Sequence, residues 1–540
     1  MTDTYDYVIV GGGTAGCVLA NRLSASGNHS VALLEAGGAD DGFWIPIPAG
    51  FSRLMSGSAF NWRFQTEPEP NVHERTIAIP RGRGLGGSSL INGMIFVRGQ
   101  PQDYDAWEHS GAPGWGFADV LPYFKRLENF VDGESALRGA GGPVDIERVR
   151  ERPAISRAFI DAARQAGFDE NPDYNGAWQD GFGYYQVNQR NGRRWSAVDA
   201  YLRPALKRSN LDVRTHAHVQ RIDFDGRRAS GVTYRIGADI KHISARREVI
   251  LAAGTVQTPH VLELSGIGNP VAMQAAGLSV FHPLDGVGEN YIDHFATRMN
   301  WRVKLPVTLN EAARGWRLGV AAARYFVTRR GILTLGTGLA HGFVRTRAEL
   351  ESPDVQYFFM HASYANAADR RLDTKPGMTI GVAQLRPQSR GTIHARTPDP
   401  AVPPAMRPNF LSAPGDAETL VQGMRIARAI MNRPAMDAYR AHEMNPGPDV
   451  SSDEAWLDFA RRTGQTIYHP IGTCRMGNIA NDRGAVVDHR LKVSGLEGLR
   501  VVDASIMPSM VSGNTQAAVF MIAEKGADLI LEDAQSGGAT

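Results

Sequence analysis

Tyr7-Val8-Ile9-Val10-Gly11-Gly12-Gly13-Thr14-Ala15-Gly16 is the stretch that decides the fold. Four apolar residues predict a buried strand, the glycines at 11, 13 and 16 keep the G-x-G-x-x-G spacing, and Val18-Leu19-Ala20 with Leu23 predict a helix. Val31-Ala32-Leu33-Leu34 predicts a second strand, so residues 5–36 read as one βαβ unit. Gly11 permits the tight turn, Gly13 lets the backbone approach a pyrophosphate, and Gly16 allows close packing of the helix. The helix N-terminus, at Thr14 and Ala15, offers amide donors to the anion. Glu35 ends the second strand about 20 residues on, where a carboxylate accepts hydrogen bonds from adenosine ribose hydroxyls. The unit predicts a dinucleotide site. FAD, NAD and NADP stay open at this point, although Glu35 disfavours the 2′-phosphate of NADP.

Working outward, residues 42–145 are rich in Gly, Pro and Trp and read as long loops wrapped around a ligand. Strands are predicted again at 211–214, 219–224, 231–234 and 248–251, extending the nucleotide-binding part. Residues 300–460 mix helices, such as 418–431, with strand-like runs at 354–360 and 378–385, and read as a substrate-facing layer. The tail returns to the first pattern, with a strand at 499–503 and a helix over 516–531. The fold class expected is α/β, with an α+β second domain.

The chain has 540 residues, long enough for several domains or a few large ones. Lys plus Arg number 58 and Asp plus Glu 56, a net charge of +2, which gives no broad electrostatic basis for binding nucleic acid. With 43% hydrophobic and 21% charged residues the composition is that of a folded globular protein. Cys17 and Cys474 are the only cysteines, too few for a disulfide framework or a cysteine zinc site. No signal-like N-terminus and no 18-residue uncharged apolar run is present. A cytoplasmic protein without a transmembrane segment is expected; peripheral membrane contact is compatible with it.

Two further glycine blocks stand out. Gly82-Arg83-Gly84-Leu85-Gly86-Gly87-Ser88-Ser89-Leu90-Ile91-Asn92-Gly93-Met94 suggests backbone lying against a flat or anionic group, and Gly254-Thr255-Val256-Gln257-Thr258-Pro259 follows a predicted strand. Gly286-Val287-Gly288-Glu289-Asn290 with Asp293-His294 repeats the theme. Together these blocks resemble the glucose-methanol-choline family of flavin oxidoreductases over nearly the whole chain. The likeness is greatest to bacterial choline, sorbose and alcohol dehydrogenase types, through Arg386-Pro387-Gln388-Ser389-Arg390-Gly391 and the 495–505 segment.

The resemblance implies FAD and a Rossmann-like domain assembled from both chain ends, residues 1–155, 205–300 and 465–540. Residues 156–204 and 301–464 would form a substrate domain with a mixed or antiparallel sheet and helices. Besides the first motif and Glu35, FAD contacts are implied at Ala36, Gly86, Ser88, Asn92, Gly93, Met94, Val219 and Ala253. In the tail they fall at Asp503, Ala504, Asn514 and Thr515. Some choline oxidases attach FAD through a His just before the Asn of this block; Ile91 stands there, so non-covalent FAD is expected.

Thr466-Ile467-Tyr468-His469-Pro470-Ile471-Gly472 and Ser512-Gly513-Asn514-Thr515 match the family's catalytic segments. A neutral imidazole can take a hydroxyl proton, an amide can hold the substrate oxygen, and a flavin can accept hydride. His469 is expected as base and Asn514 as oxygen anchor, for oxidation of a primary alcohol to an aldehyde. Of the other histidines, His294, His341 and His361 are read as structural, and no metal site is expected. Trp62, Ile467 and Tyr468 are expected around the substrate. Leu339 is placed where choline-type members carry an acid, which favours an uncharged aromatic, furanic or medium-chain alcohol over choline. The alternatives are choline dehydrogenase proper, a hydroxynitrile-lyase-like or light-driven decarboxylase member of the fold, and an NAD-dependent dehydrogenase. Oxygen or a quinone-type molecule would reoxidise the flavin, and a homodimer is compatible with the sequence.

Overall fold

The computed structural model describes residues 3–366 and 371–536, which build two seven-stranded sheets facing one cavity. The first sheet grows from the opening motif. Thr4–Val10 pairs in parallel with Val31–Leu34, which pairs in parallel with Leu211–Arg214. On its other side Thr4–Val10 meets the C-terminal part of Asp239–Leu251, Val8 opposite Val249 and Val10 opposite Leu251. Leu499–Val501 adds to the far edge, Val249 opposite Leu499. The central runs Tyr7-Val8-Ile9-Val10, Val31–Leu34 and Val249-Ile250-Leu251 are apolar throughout, as suits strands covered on both faces of a parallel sheet; Val8, Ile9, Val31, Leu33, Val249 and Val501 are all fully buried, whereas the edge strand Leu211–Arg214 carries Asp212 and Arg214. The long strand Asp239–Leu251 also carries an antiparallel meander, pairing by its N-terminal half with Arg228–Ile236, which pairs with His218–Asp225.

Helices Thr14–Leu23 and Gln516–Ser536, from opposite ends of the chain, pack on each other. The region 42–145 departs from the reading as loops. Pro101–His109 and Phe117–Leu127 are helices, and Trp107 and Trp115 are buried in the core of this half. Prolines and glycines there mark helix borders as much as loops: Pro101 occupies the first helical turn, where a missing N–H costs nothing, and Asp103 Oδ2 accepts the Gln100 N–H at 2.8 Å.

The second sheet is antiparallel, in the order Arg440–Asn445, Phe295–Val303, Gly377–Gln384, Val355–Met360, Ala340–Val344, Gly181–Tyr184, with Gln465–Thr466 added beside Phe295–Val303. Alternation decides its faces. Phe295, Met299, Trp301, Tyr357, Phe359, Ile380 and Val382 enter the core beneath helices Ala154–Gln165, Pro414–Met431 and Asp453–Thr463. The intervening residues Ala296, Arg298, Gln356, Phe358, Gly381 and Ala383 lie on the opposite face. No helix among the described residues is long and apolar enough to cross a membrane.

Candidate active site

In one half of the cavity the glycine blocks converge. Helix Thr14–Leu23 starts with no side-chain cap and no acidic residue in its first turn, so its leading amides are unsatisfied donors beside Gly11, Gly13, Thr14 and Ala15, which line the cavity. A pyrophosphate fits such donors. A Cβ on Gly87 would stand 2.8 Å from the Gly13 Cα, so the first and second blocks touch through bare backbone. A Cβ on Gly16 would lie 1.9 Å from the Gly11 carbonyl oxygen; Gly16 seats the helix and does not reach the cavity. Gly86, at φ 99°, likewise shapes its turn from outside it.

Glu35 sits between the two blocks. Its Oε2 accepts the Gly12 N–H at 2.8 Å, and its Oε1 accepts those of Gly37 at 2.7 Å and Gly84 at 3.0 Å. Burial raises its pKa while the three amides oppose that rise. Ala36, Val219 and Ala253 line the same end, and Ser88, Asn92, Gly93 and Met94 the next stretch. Asn92 is held by Gln516 at 2.5 Å and by Arg194 at 2.6 Å. Asp503 lines the cavity with Ala504 and Thr515 but spends its carboxylate on the protein: Oδ2 accepts from Gly254 N–H at 2.8 Å and Thr258 Oγ1 at 2.6 Å, Oδ1 from Ser505 N–H at 2.8 Å. It fastens the end of Leu499–Val501 to the start of helix Gly254–Leu264.

In the other half His469 and Asn514 meet, His469 Nε2 lying 3.1 Å from Asn514 Nδ2. On the other side of the ring His469 Nδ1 is 3.1 Å from His294 Nδ1, and His294 Nε2 is 3.1 Å from the Leu385 carbonyl oxygen. A carbonyl only accepts, so the neutral His294 carries its proton on Nε2 and presents a lone pair at Nδ1. His469 must then donate from Nδ1, which leaves its Nε2 lone pair facing Asn514. Gln356 Nε2 reaches Asn514 Oδ1 at 3.3 Å, so the amide turns its N–H toward His469. Burial, followed by the neighbouring His294 and Arg81, holds the His469 pKa well below its usual value, and burial brings His294 to about 4. Both rings are neutral at pH 7.

The loop that aims His469 is fixed from behind. Asp293 Oδ1 accepts the His469 N–H at 2.9 Å, its other oxygen accepts from Thr466 and Tyr291, and burial pushes its pKa up to about 6. Tyr468 takes a left-handed conformation at φ 72°, strain of about 1–3 kcal/mol that the surrounding bonds hold in place. Asn514 is placed by Asp103, whose carboxylate accepts Ser512 N–H at 2.7 Å and Ser512 Oγ at 2.9 Å.

Ile467 and Tyr468 line this half with His469 and Asn514. Leu339 does not. It is fully buried with Leu335, Met360 and Ala362, and its alignment to an acidic substrate position fails because the cavity wall comes from other strands. Trp62 lines the cavity, yet its ring stacks on Phe64 at 5.6 Å, contacts His218 and lies under Arg83, so it belongs to the nucleotide side. His294, read as structural, is the residue sequence reasoning missed most plainly. Gln356 and Arg298, the second a cavity-lining cation, gave no motif at all. The only signal for His294 was its place in Asp293-His294, three residues after the third glycine block. His341 and His361 are buried outside the cavity. Both cysteines are buried, and burial pushes the Cys474 thiol up. Among the described residues no cluster of His, Cys, Asp or Glu could hold a metal ion.

Two family models described as GMC oxidoreductase match residues 5–296 and 387–523. An oxygen-dependent choline dehydrogenase of Photobacterium profundum is 41% identical over 533 residues, 98% of this chain and 94% of that protein. An alcohol dehydrogenase (acceptor) of Pseudomonas putida is 40% identical over 535 residues, 98% and 96% of the two chains. Among solved structures, pyridoxine 4-oxidase from Mesorbium loti superposes with a TM-score of 0.88 at 29% identity, covering 97% of this chain and 98% of that one. A formate oxidase reaches a TM-score of 0.91 at 26% identity, covering 99% and 100%.

Proposed function

This chain belongs to the GMC oxidoreductase family and is an FAD-dependent oxidoreductase of alcohol CH–OH groups, and on that premise we propose that His469 is the base and Asn514 the oxygen anchor for oxidation of a primary alcohol to an aldehyde. The observation that carries this reading is the proton chain Leu385–His294–His469, which leaves the Nε2 lone pair beside the Asn514 amide. FAD, when bound along the glycine blocks, supplies the hydride acceptor. The hydroxyl proton goes to His469 Nε2, and the Asn514 N–H hydrogen-bonds the same oxygen as charge builds on it. An alcohol oxygen entering between the two side chains replaces one 3.1 Å contact with two hydrogen bonds. The amide stays pointed at the oxygen because Gln356 occupies its carbonyl end.

Neutral His469 suits this role, since a protonated ring could not take the hydroxyl proton. His469→Gln should retain FAD and lower the rate of anaerobic flavin reduction by alcohol about 10²-fold or more; an unchanged limiting rate would refute the assignment. The choline dehydrogenase relatives favour a second reading, choline as substrate. Against it, the only carboxylates lining the cavity among the described residues are Glu35 and Asp503, both at the nucleotide side. We propose reoxidation by oxygen or a quinone-type acceptor and a cytoplasmic location.

A further inference from the structure

Arg298 is a cation on the substrate wall that no carboxylate among the described residues answers. It lies on Phe295–Val303, lines the cavity and is half-buried. Its guanidinium donates to the Gln465 side-chain oxygen at 2.9 Å, and no carboxylate among the described residues pairs with it. Arg302, four residues along the same strand face, differs: it is neutralised by Asp373 at 2.9 Å. An arginine lining a cavity, braced by a neutral amide and unpaired with any carboxylate of the described residues, has donors to spare for a planar anion.

The sheet register fixes where that anion would sit. Ala296, Ala383 and Gln356 form one cross-strand row on the cavity face, and Gln356 touches Asn514. Arg298, Gly381 and Phe358 form the next row. Two residues along an antiparallel strand advance about 7 Å, so the guanidinium is based one row beyond the hydroxyl-binding end. Between them the wall is low, since Ala296 and Gly381 carry at most a methyl group, while Phe358 and Met360 supply apolar sides.

Resting on the proposed alcohol oxidation, we propose that the substrate is a primary alcohol bearing a carboxylate at its far end, bound by Arg298, with an apolar or aromatic body about one ring long. The carboxylate is unchanged by the reaction, and the product is the corresponding aldehyde acid. A quaternary ammonium would meet the guanidinium with like charge.

The test uses holoenzyme and matched pairs that differ only in charge. Binding of unreactive 4-methylbenzoate and 4-methylbenzamide is read from the flavin absorbance, and turnover is compared for 4-(hydroxymethyl)benzoate and 4-(hydroxymethyl)benzamide. The wild-type protein should favour the carboxylate in both assays by about 10-fold or more. Arg298→Met should bring both ratios to about 1 or below, and Arg298→Lys should retain part of them. A role of Arg298 in folding or in flavin binding would scale both members of a pair alike and leave the ratios unmoved. Wild-type protein with no preference for the carboxylate, including protein that binds neither ligand, overturns the proposal, as does a ratio that survives Arg298→Met. If the carboxylate binds through Arg298 but no alcohol reduces the flavin, the anion site stands and the alcohol reading fails.

Discussion

The Nδ1 atoms of His294 and His469 face each other at 3.1 Å, and the Leu385 carbonyl at the far end of the pair decides which of them carries the proton. A tautomer is thereby set by a backbone oxygen two rings away from the reacting atom. His294 acts through His469 and is a positioning residue.

Replacing His294 tests that relation. His294→Phe fills the space but removes the acceptor for Nδ1–H, so His469 is free to take the other tautomer; kcat should fall about 10- to 100-fold with KM changed by less than about 3-fold. His294→Gln keeps an acceptor oxygen and should recover most of the rate. Equal losses in both variants, or loss of flavin in both, would mean that His294 serves packing alone.

FAD should be held without a covalent link at the second glycine block, because Ile91 there has no nucleophilic side chain and is buried with Ile45, Leu54 and Leu90. Acid or heat precipitation of yellow protein should release all the colour into the supernatant. Colour retained by the washed pellet would reveal a bond elsewhere.

Choline should be a poor substrate. Its ammonium needs a carboxylate or several aromatic faces in place of water, cation–π contacts giving about 0.5–2 kcal/mol each, and the substrate wall presents Arg298 instead. A neutral benzyl-type or aliphatic primary alcohol should exceed choline in kcat/KM by about 10²-fold or more. Parity in a common assay would place an anionic group in the pocket.

Acid should destabilise the protein below about pH 6.5, the ordinary histidine value. Burial lowers the pKa values of His294 and His361 to about 4 and of His341 to about 3. The unfolded chain therefore binds protons between about pH 6.5 and about 4 that the folded chain refuses, and stability present above that range is lost as pH falls. His218 and His260, brought to about 4 by burial, act in the same direction. Glu69 and Asp293, pushed up by burial to about 7 and about 6, act in the opposite one, as do Glu35, Asp103 and Asp503, raised by burial, and His394, which against its burial Glu263 and Glu289 raise to about 9; the lowered histidines, His29 and His469 included, outnumber them. The melting temperature of holoenzyme should be lower at pH 5 than at pH 7; a level or rising value would contradict this balance.

The nucleotide-binding half was legible because its signals are local. Val31–Leu34 and Leu211–Arg214 fall where continuous apolar or alternating runs predict them. Helices 101–109 and 117–127 were hidden by their prolines, one at a first turn and one, Pro122, inside a helix. His469 and Asn514 carried motif context, whereas the residues that orient them did not. His294 and His469 are 175 residues apart and Gln356 and Asn514 158 apart, contacts that only sheet register creates. Leu339 was misjudged for the same reason: it precedes the strand Ala340–Val344 and packs with Leu335, Met360 and Ala362, contacts that a position along the chain does not reveal.

The strand Asp239–Leu251 receives Thr4–Val10 along one edge and Leu499–Val501 along the other. During synthesis the first partner leaves the ribosome roughly 25–100 s before the last, at about 5–20 residues per second. From its own emergence until that of Leu499–Val501, roughly 12–50 s at the same rate, the apolar edge at Val249–Leu251 lacks that neighbour, and the segment carrying Asp503 and Asn514 does not exist. Flavin capture is consequently a late event in the life of each chain, following a period in which that edge is open to pairing with another polypeptide, since the meander covers only the Asp239–Ser244 half of the strand.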